Sequence, residues 1–599
     1  MSDKKLKTRD QIDGKFKWNI SKMYPDEAVW DEDFNKVMSI ADAFTRFTGI
    51  LGKDSATLLE AYRERDSLWL IAERVYVYAR MKRDEDNRQA KYQAMADKCH
   101  SLIAKISAAL SFFTPELLEM PEGTLKDFIM REEGLKIYEF AITDTLRLKA
   151  HVLTKPEENI MAQFSEITGA TGDIFTMLNN ADLKFGNITD DDGDSVELTH
   201  GNYSVFMESN DRCVRKGAFE SMYCAYKKQL NTIASAYNYN TKTDIVTARI
   251  RKYDSFLHAA LSGDNIPVSV YDNLITTVNN NLNTLHKYMG IRKKALNLAD
   301  LHMYDVYVPI VTLPKTDIPY DTAINMVEDG LSPLGVDYIS KMKSGVSDGW
   351  IDVYENEGKT SGAYSFGSYD SMPYILLNYS GKLKDVFTIA HEMGHSMHSS
   401  YTREHQPFIY GGHSIFTAEV ASTVNESLLM KHMLNKEKDP AMKKYLLNMH
   451  IEEFRTTLFR QTMFAEFERI THQAAADGEA LTAEWLCSEY EKLNRKYFGD
   501  NVVLDDEIRY EWARIPHFYN AFYVYKYATG FSAAAAISSK ILDGGKDAQT
   551  GYMEFLKSGE SNHPIELLKI AGVDMSTSEP INLAMKTFEN LIDEFDKLV

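Results

Sequence analysis

Residues 391–395 read His-Glu-Met-Gly-His, and few five-residue patterns restrict a chain more. On a helix, positions i and i+4 lie one above the other, so His391 and His395 can close on one ion while Glu392 points beside it. Val386, Ile389, Ala390, Met393 and Met397 recur at helical spacing. They give the segment an apolar face and leave the two histidines on a different stripe. The competing interpretation is a buried helix with two hydrogen-bonded core histidines. As a site, the pattern is that of zinc-dependent hydrolysis, with His391 and His395 as ligands and Glu392 as the base that deprotonates water.

A catalytic zinc uses three protein ligands and keeps one position open, so a third donor is required. Phe416, Val420, Val424 and Leu428 repeat every fourth residue and mark a second buried helix. Glu419, Ser422, Thr423 and Glu426 share its other face. Glu419 is the preferred third ligand. The rival, His398, stands at i+7 from His391, about 10.5 Å along a helix axis, a poor span for two short bonds to one ion. Glu426 is positioned to orient a ligand imidazole from behind, or to be a solvated carboxylate.

With these residues in place, the chain resembles the oligoendopeptidase F group of the thimet oligopeptidase family of zinc metallopeptidases. The similarity extends to Trp18-Asn19-Ile20, to the Ser209–Arg215 stretch, to Gly362-Ala363-Tyr364-Ser365, to Phe464-Ala465-Glu466-Phe467-Glu468, and to the run from Arg514 to Gly530. The resemblance implies a mainly α, two-lobed helical metallopeptidase fold with a deep channel and a small β-sheet next to the metal helix. It implies one zinc ion per chain held by His391, His395 and Glu419. It also places His517, Tyr523 and Tyr527 at the scissile bond, with Tyr519 and Tyr525 competing for the tyrosine roles. Read from the residues alone, so dense an aromatic run is more often the mark of core packing.

Composition bounds the partners. The net charge of −20 speaks against nucleic acid, which demands clustered Lys and Arg. No run of 18 apolar residues is present, and the basic start of the chain is not followed by an apolar stretch, so neither a membrane nor export is expected. Cys99, Cys213, Cys224 and Cys487 show no paired spacing, which suits reduced thiols in the cytoplasm. The pattern divides into a helical region over 1–112, a small helical domain ending in a hairpin over 113–200, and a catalytic domain over 201–599.

Helical patterning dominates over 32–110 and resumes near Tyr203. A hairpin is predicted from Leu183–Ile188 and Ser195–Thr199 around the acidic turn at 189–194, whose spacing does not fit a calcium loop and reads as solvated. Strands are predicted at Met303–Val308, Trp350–Tyr354 and Tyr374–Tyr379. The last is the candidate sheet edge for an extended substrate, which makes Tyr374, Leu376 and Asn378 the candidate substrate-binding residues; a sheet that merely packs beneath the helices is the alternative. The expected partners are short, unstructured oligopeptides, cut at internal bonds. A peptidyl-dipeptidase on a similar scaffold and a peptide-binding protein with a degenerate site are the rival functions.

Overall fold

The computed structural model describes residues 6–311 and 317–599; the first five residues of the basic amino-terminal stretch lie outside them. The fold is mainly α, and the chain forms two compact units assembled from non-consecutive segments. One comprises Met1–Ala150, Lys315–His432 and Ile537–Gly572. The other comprises His151–Pro314, Met433–Ala536 and Val573–Val599.

In the first unit, the proline-free stretch after residue 26 forms three long helices, Glu27–Phe44, Ser55–Glu85 and Ala90–Ala109. Asp26 and Asp54 cap the first two by accepting the free backbone N–H groups of the opening turn. Trp30, Val37 and Ala41 bury against Val75 and Ala79, and Cys99, Leu102 and Ile106 close the same core. Each such buried side chain contributes about 1.5–3 kcal/mol. The Trp30 indole N–H donates to the Val75 carbonyl at 2.9 Å, so the large ring enters the core without an orphaned donor. The stretch Ala90–Glu119 is long and apolar enough for a membrane span by length and composition alone. It is divided here into Ala90–Ala109 and Phe113–Glu119.

The spine of the second unit is the 39-residue helix Arg212–Ile250, capped by Asp211. The Glu511 carboxylate, buried beside it, accepts from Tyr490 at 2.6 Å and from Arg460 at 2.7 Å. Burial opposes its charge, but Arg460 and Arg514 hold it below the usual carboxylate range. This network fixes the 3-10 segment Asp506–Arg514, which leads into the aromatic run.

Strands are few. β1 (Asn187–Thr189) and β2 (Ser195–Glu197) form the expected antiparallel hairpin. β3 (Leu301–His302) pairs with β7 (Val502–Val503), and β4 (Ile351–Asp352), β5 (Tyr364–Phe366) and β6 (Tyr374–Leu376) form a sheet in the order β4-β6-β5. Two expectations are corrected. Met303–Asp305 is a 3-10 turn and not a strand, because the Asp305 carboxylate accepts the His302 N–H and is gripped by Arg212 and Arg215. Tyr374–Leu376 is the central strand and not an edge. It is paired parallel to β4 on one side and antiparallel to β5 on the other, with Tyr374 and Leu376 fully buried. Neither of those residues can offer a free backbone to a ligand, and the outer strand near the site is β5.

Candidate metal centre

The His-Glu-Met-Gly-His pentad lies in the middle of the helix Leu383–His405. Val386, Ile389, Ala390, Met393 and Met397 form its buried face, which turns the His391 and His395 rings to the other side with centroids 4.9 Å apart. The facing helix, Ile415–Lys436, buries Phe416, Val420, Val424 and Leu428 and so directs Glu419 and Glu426 toward the histidines. The two backbones come unusually close because residue 394 is glycine. A Cβ there would lie 2.6 Å from the Ser422 Cα and 2.7 Å from the Ala421 carbonyl oxygen. Asn425 locks the approach by donating to the Ala390 carbonyl at 3.0 Å. On the sheet side, Ser365 of β5 bonds Ser396 of the metal helix at 2.8 Å.

Glu419 Oε2 lies 3.4 Å from His391 Nε2 and 3.5 Å from His395 Nε2. One donor atom from each of these residues falls within 4.8 Å of the others, the grouping of this kind among the described residues. A tetrahedral ion with bonds of about 2.0–2.1 Å spaces its ligand atoms by about 3.3–3.4 Å, so the donors fit zinc in type and in separation. Electrostatics agree. Burial works against a charged His391, but hydrogen bonds with Glu419 and Glu426 outweigh it and raise its pKa to about 10. His391 and His395 in turn hold the Glu419 carboxyl well below its usual range. A cluster that favours positive charge this strongly suits a dication in the place of a proton.

Glu426 Oε2 stands 3.2 Å from His391 Nδ1, on the ring edge away from Glu419. A carboxylate there fixes the tautomer that leaves Nε2 free to ligate. Glu392 is 7% exposed. Burial pushes its carboxyl upward against the pull of His391 and His395, the direction that makes a carboxylate a better base near neutrality. His398 takes no part in the donor cluster: it stacks on His413 at 3.7 Å and packs against Phe555. Burial drives its pKa well below the ordinary value.

In the second unit, His517, Tyr523 and Tyr527 come together, with ring centroids 6.1, 6.0 and 5.4 Å apart. The competing tyrosines do not join them. Tyr519 stacks on Phe175 at 4.4 Å, and Tyr525 is fully buried with its ring 5.2 Å from that of Tyr271. Desolvation lowers the His517 pKa, which favours the neutral ring. Between the members of this cluster, Phe522 adopts φ 58°, a left-handed backbone that costs a bulky residue about 1–3 kcal/mol.

The sequence model of peptidase family M3 matches residues 205–587, and that of oligopeptidase F matches residues 116–185. The chain belongs to peptidase family M3. Among family M3 relatives, it is 44% identical to oligopeptidase PepF of Bacillus subtilis, covering 99% of this chain and 89% of that protein. It is 41% identical to the group B oligopeptidase PepB of Streptococcus agalactiae, over 99% and 98% of the two chains. The solved oligoendopeptidase F of Enterococcus faecium superimposes with a TM-score of 0.74 at 36% identity, covering 96% and 99%. A solved structure from Chlamydophila abortus reaches 0.93 at 37% identity, covering 99% and 100%. This M3 chain is therefore an enzyme, a metallopeptidase of the oligoendopeptidase F type.

Sequence reasoning missed two residues that shape these clusters. Gly394 stood in the pentad without a role, since its role depends on a second helix. Phe522 carried no signal, because phenylalanine is not a residue that favours a left-handed turn. Of the expected substrate-binding residues, Asn378 alone has a place at an opening. With Gly362, Ala363 and Thr388, it lines a cavity of about 210 Å³ next to the metal helix, and it donates to the Thr360 and Gly362 carbonyls.

Proposed function

We propose that this M3 peptidase is a zinc-dependent oligoendopeptidase that hydrolyses internal bonds of short, unstructured peptides in the cytoplasm. The observation that carries this reading is the approach of Glu419 Oε2 to both His391 Nε2 and His395 Nε2 beside the buried Glu392. His391, His395 and Glu419 would hold one zinc ion per chain, with Glu426 fixing the His391 ring. Bound there, the ion supplies Lewis acidity toward water and toward the scissile carbonyl. Glu392 accepts the water proton as the peptide carbon is attacked and returns it to the leaving amine. Neutral His517 and the phenols of Tyr523 and Tyr527 donate hydrogen bonds to the oxyanion as it develops.

Substrate recognition is assigned to backbone pairing with β5, the outer strand of its sheet, with Asn378 at the adjoining cavity. Pairing through main-chain groups reads extended geometry and is indifferent to most side chains. The four cysteines are free, in keeping with a reducing compartment.

Cleavage-product mapping on peptides of about 5–20 residues blocked at both ends tests the reading. Internal cleavage that stops on chelation and returns with zinc is the expected result. Strict release of carboxy-terminal dipeptides, with blocked peptides resistant, would reassign the enzyme as a peptidyl-dipeptidase. Hydrolysis unaffected by prolonged chelation would remove the metal from the mechanism.

A further inference from the structure

Four non-glycine residues among those described have φ well above zero: Lys252, Asn265, Asn297 and Phe522. Phe522 is the aromatic one, and it directly precedes Tyr523. A bulky side chain stays in that conformation only where its surroundings over-determine it. The ring is clamped by His472 at 4.6 Å and by Phe256 and Tyr271, each at 5.7 Å. The backbone is clamped by one group, since the Phe522 N–H donates to Glu468 Oε1 at 2.9 Å.

Glu468 is fully buried, and its second oxygen, Oε2, meets no hydrogen-bond donor. The polar groups around it have other partners. Asp244 pairs with His472 Nε2 at 3.2 Å. Tyr237 bonds Thr471 at 2.7 Å, and Tyr271 donates to the Ala465 carbonyl at 2.6 Å. Burial, reinforced by Asp244, raises its pKa well above the usual range against the Phe522 hydrogen bond. Burying a carboxyl for a single backbone contact is costly. That contact sits at the residue where the chain turns from the 3-10 segment Pro516–Tyr519 into the helix that starts at Tyr525.

We propose that Glu468 is a positioning residue for peptide hydrolysis: its carboxyl fixes the left-handed turn at Phe522 and thereby holds Tyr523 and Tyr527 against His517. The inference rests on the assignment of those three residues as oxyanion donors. Without the acceptor, the turn relaxes toward ordinary φ values, which rotates Tyr523 and the first turn of the following helix away from His517. The glutamate itself touches no reacting atom.

The test uses the full-length, zinc-loaded enzyme and a quenched fluorescent peptide. Glu468→Met keeps the volume and removes the acceptor. Its kcat should fall on the order of 10²-fold, as displacement of a reacting group by about 1 Å does. KM and zinc content should hold steady, since ground-state binding and the metal ligands lie elsewhere. Glu468→Gln still offers an oxygen to the Phe522 N–H and should restore kcat to within about threefold of the parent. Unchanged kcat in a folded Glu468→Met enzyme overturns the proposal, as does an equal loss in the Met and Gln variants. If Glu468→Met does not fold, Glu468→Asp, which withdraws the carboxyl by one methylene, reads the same split, and unchanged kcat there overturns it too. Tyr523→Phe, Tyr527→Phe and His517→Ala run alongside. If all three keep full kcat, the donor assignment has failed. If they lose activity and the Glu468 variants do not, this inference alone has failed.

Discussion

The donors on the helices Leu383–His405 and Ile415–Lys436 and the aromatic cluster at 517–527 are held by different physics. His391, His395 and Glu419 sit on regular helices, and their separations follow from a period of 3.6 residues and from one close helix contact at Gly394. His517, Tyr523 and Tyr527 straddle a turn that no period describes. Their mutual placement depends on Phe522 at positive φ and on Glu468, far away in the sequence. The metal cluster is thus built from local regularity and tolerates little error in packing. The aromatic cluster is built from an exception and depends on whatever enforces it.

On the proposed mechanism the largest effect belongs to Glu392, the base beside the regular helical cluster. Glu392→Gln should lower kcat by about 10²- to 10⁴-fold while zinc content stays at the parent level. A variant that keeps most of its turnover would assign the base elsewhere. Next come the proposed oxyanion donors of the aromatic cluster. Tyr523→Phe or His517→Ala should cost about 10²- to 10³-fold in kcat with folding and metal unchanged. A lower thermal midpoint with full kcat would make them core residues. Glu426→Gln, behind His391, should lose about 10- to 100-fold in zinc affinity or activity; equal affinity would mark Glu426 as a surface carboxylate.

The smallest effects are in stability, where the comparison can be sharpened. Gly394→Ala places a methyl against the Ser422 backbone and should cost about 1–3 kcal/mol. Gly217→Ala, in the helix Arg212–Ile250 and facing open space, should be neutral or stabilise by up to about 1 kcal/mol. Thermal melts of the two variants side by side check the difference. Similar midpoints would mean that the close approach of the two metal-centre helices is not what the glycine serves.

The same contrast explains what could be read from sequence. The pentad, the second helix and the preference for Glu419 over His398 rest on periodicity, which is written locally. The hairpin at 187–197 was legible for the same reason, through its turn residues. The sheet was legible as short strands and not as an order. Tyr374–Tyr379 has the composition of an edge or a centre alike, and only the flanking β4 and β5 decide between them. The turn at Met303–Asp305 depends on Arg212 and Arg215, distant in sequence. The resemblance pointed to Tyr523 and Tyr527 over Tyr519 and Tyr525; periodicity could not, because Phe522 at positive φ breaks any helical register carried through the run.

The central claim is that Glu419 completes a zinc site with His391 and His395. Zinc content per chain, measured on purified Glu419→Ala and His398→Ala together with peptide hydrolysis, tests it most directly. One zinc per chain is expected in the parent and in His398→Ala, while Glu419→Ala loses metal and activity together, with activity returning only at a large excess of zinc. Retention of zinc by Glu419→Ala with an empty site in His398→Ala would contradict the account.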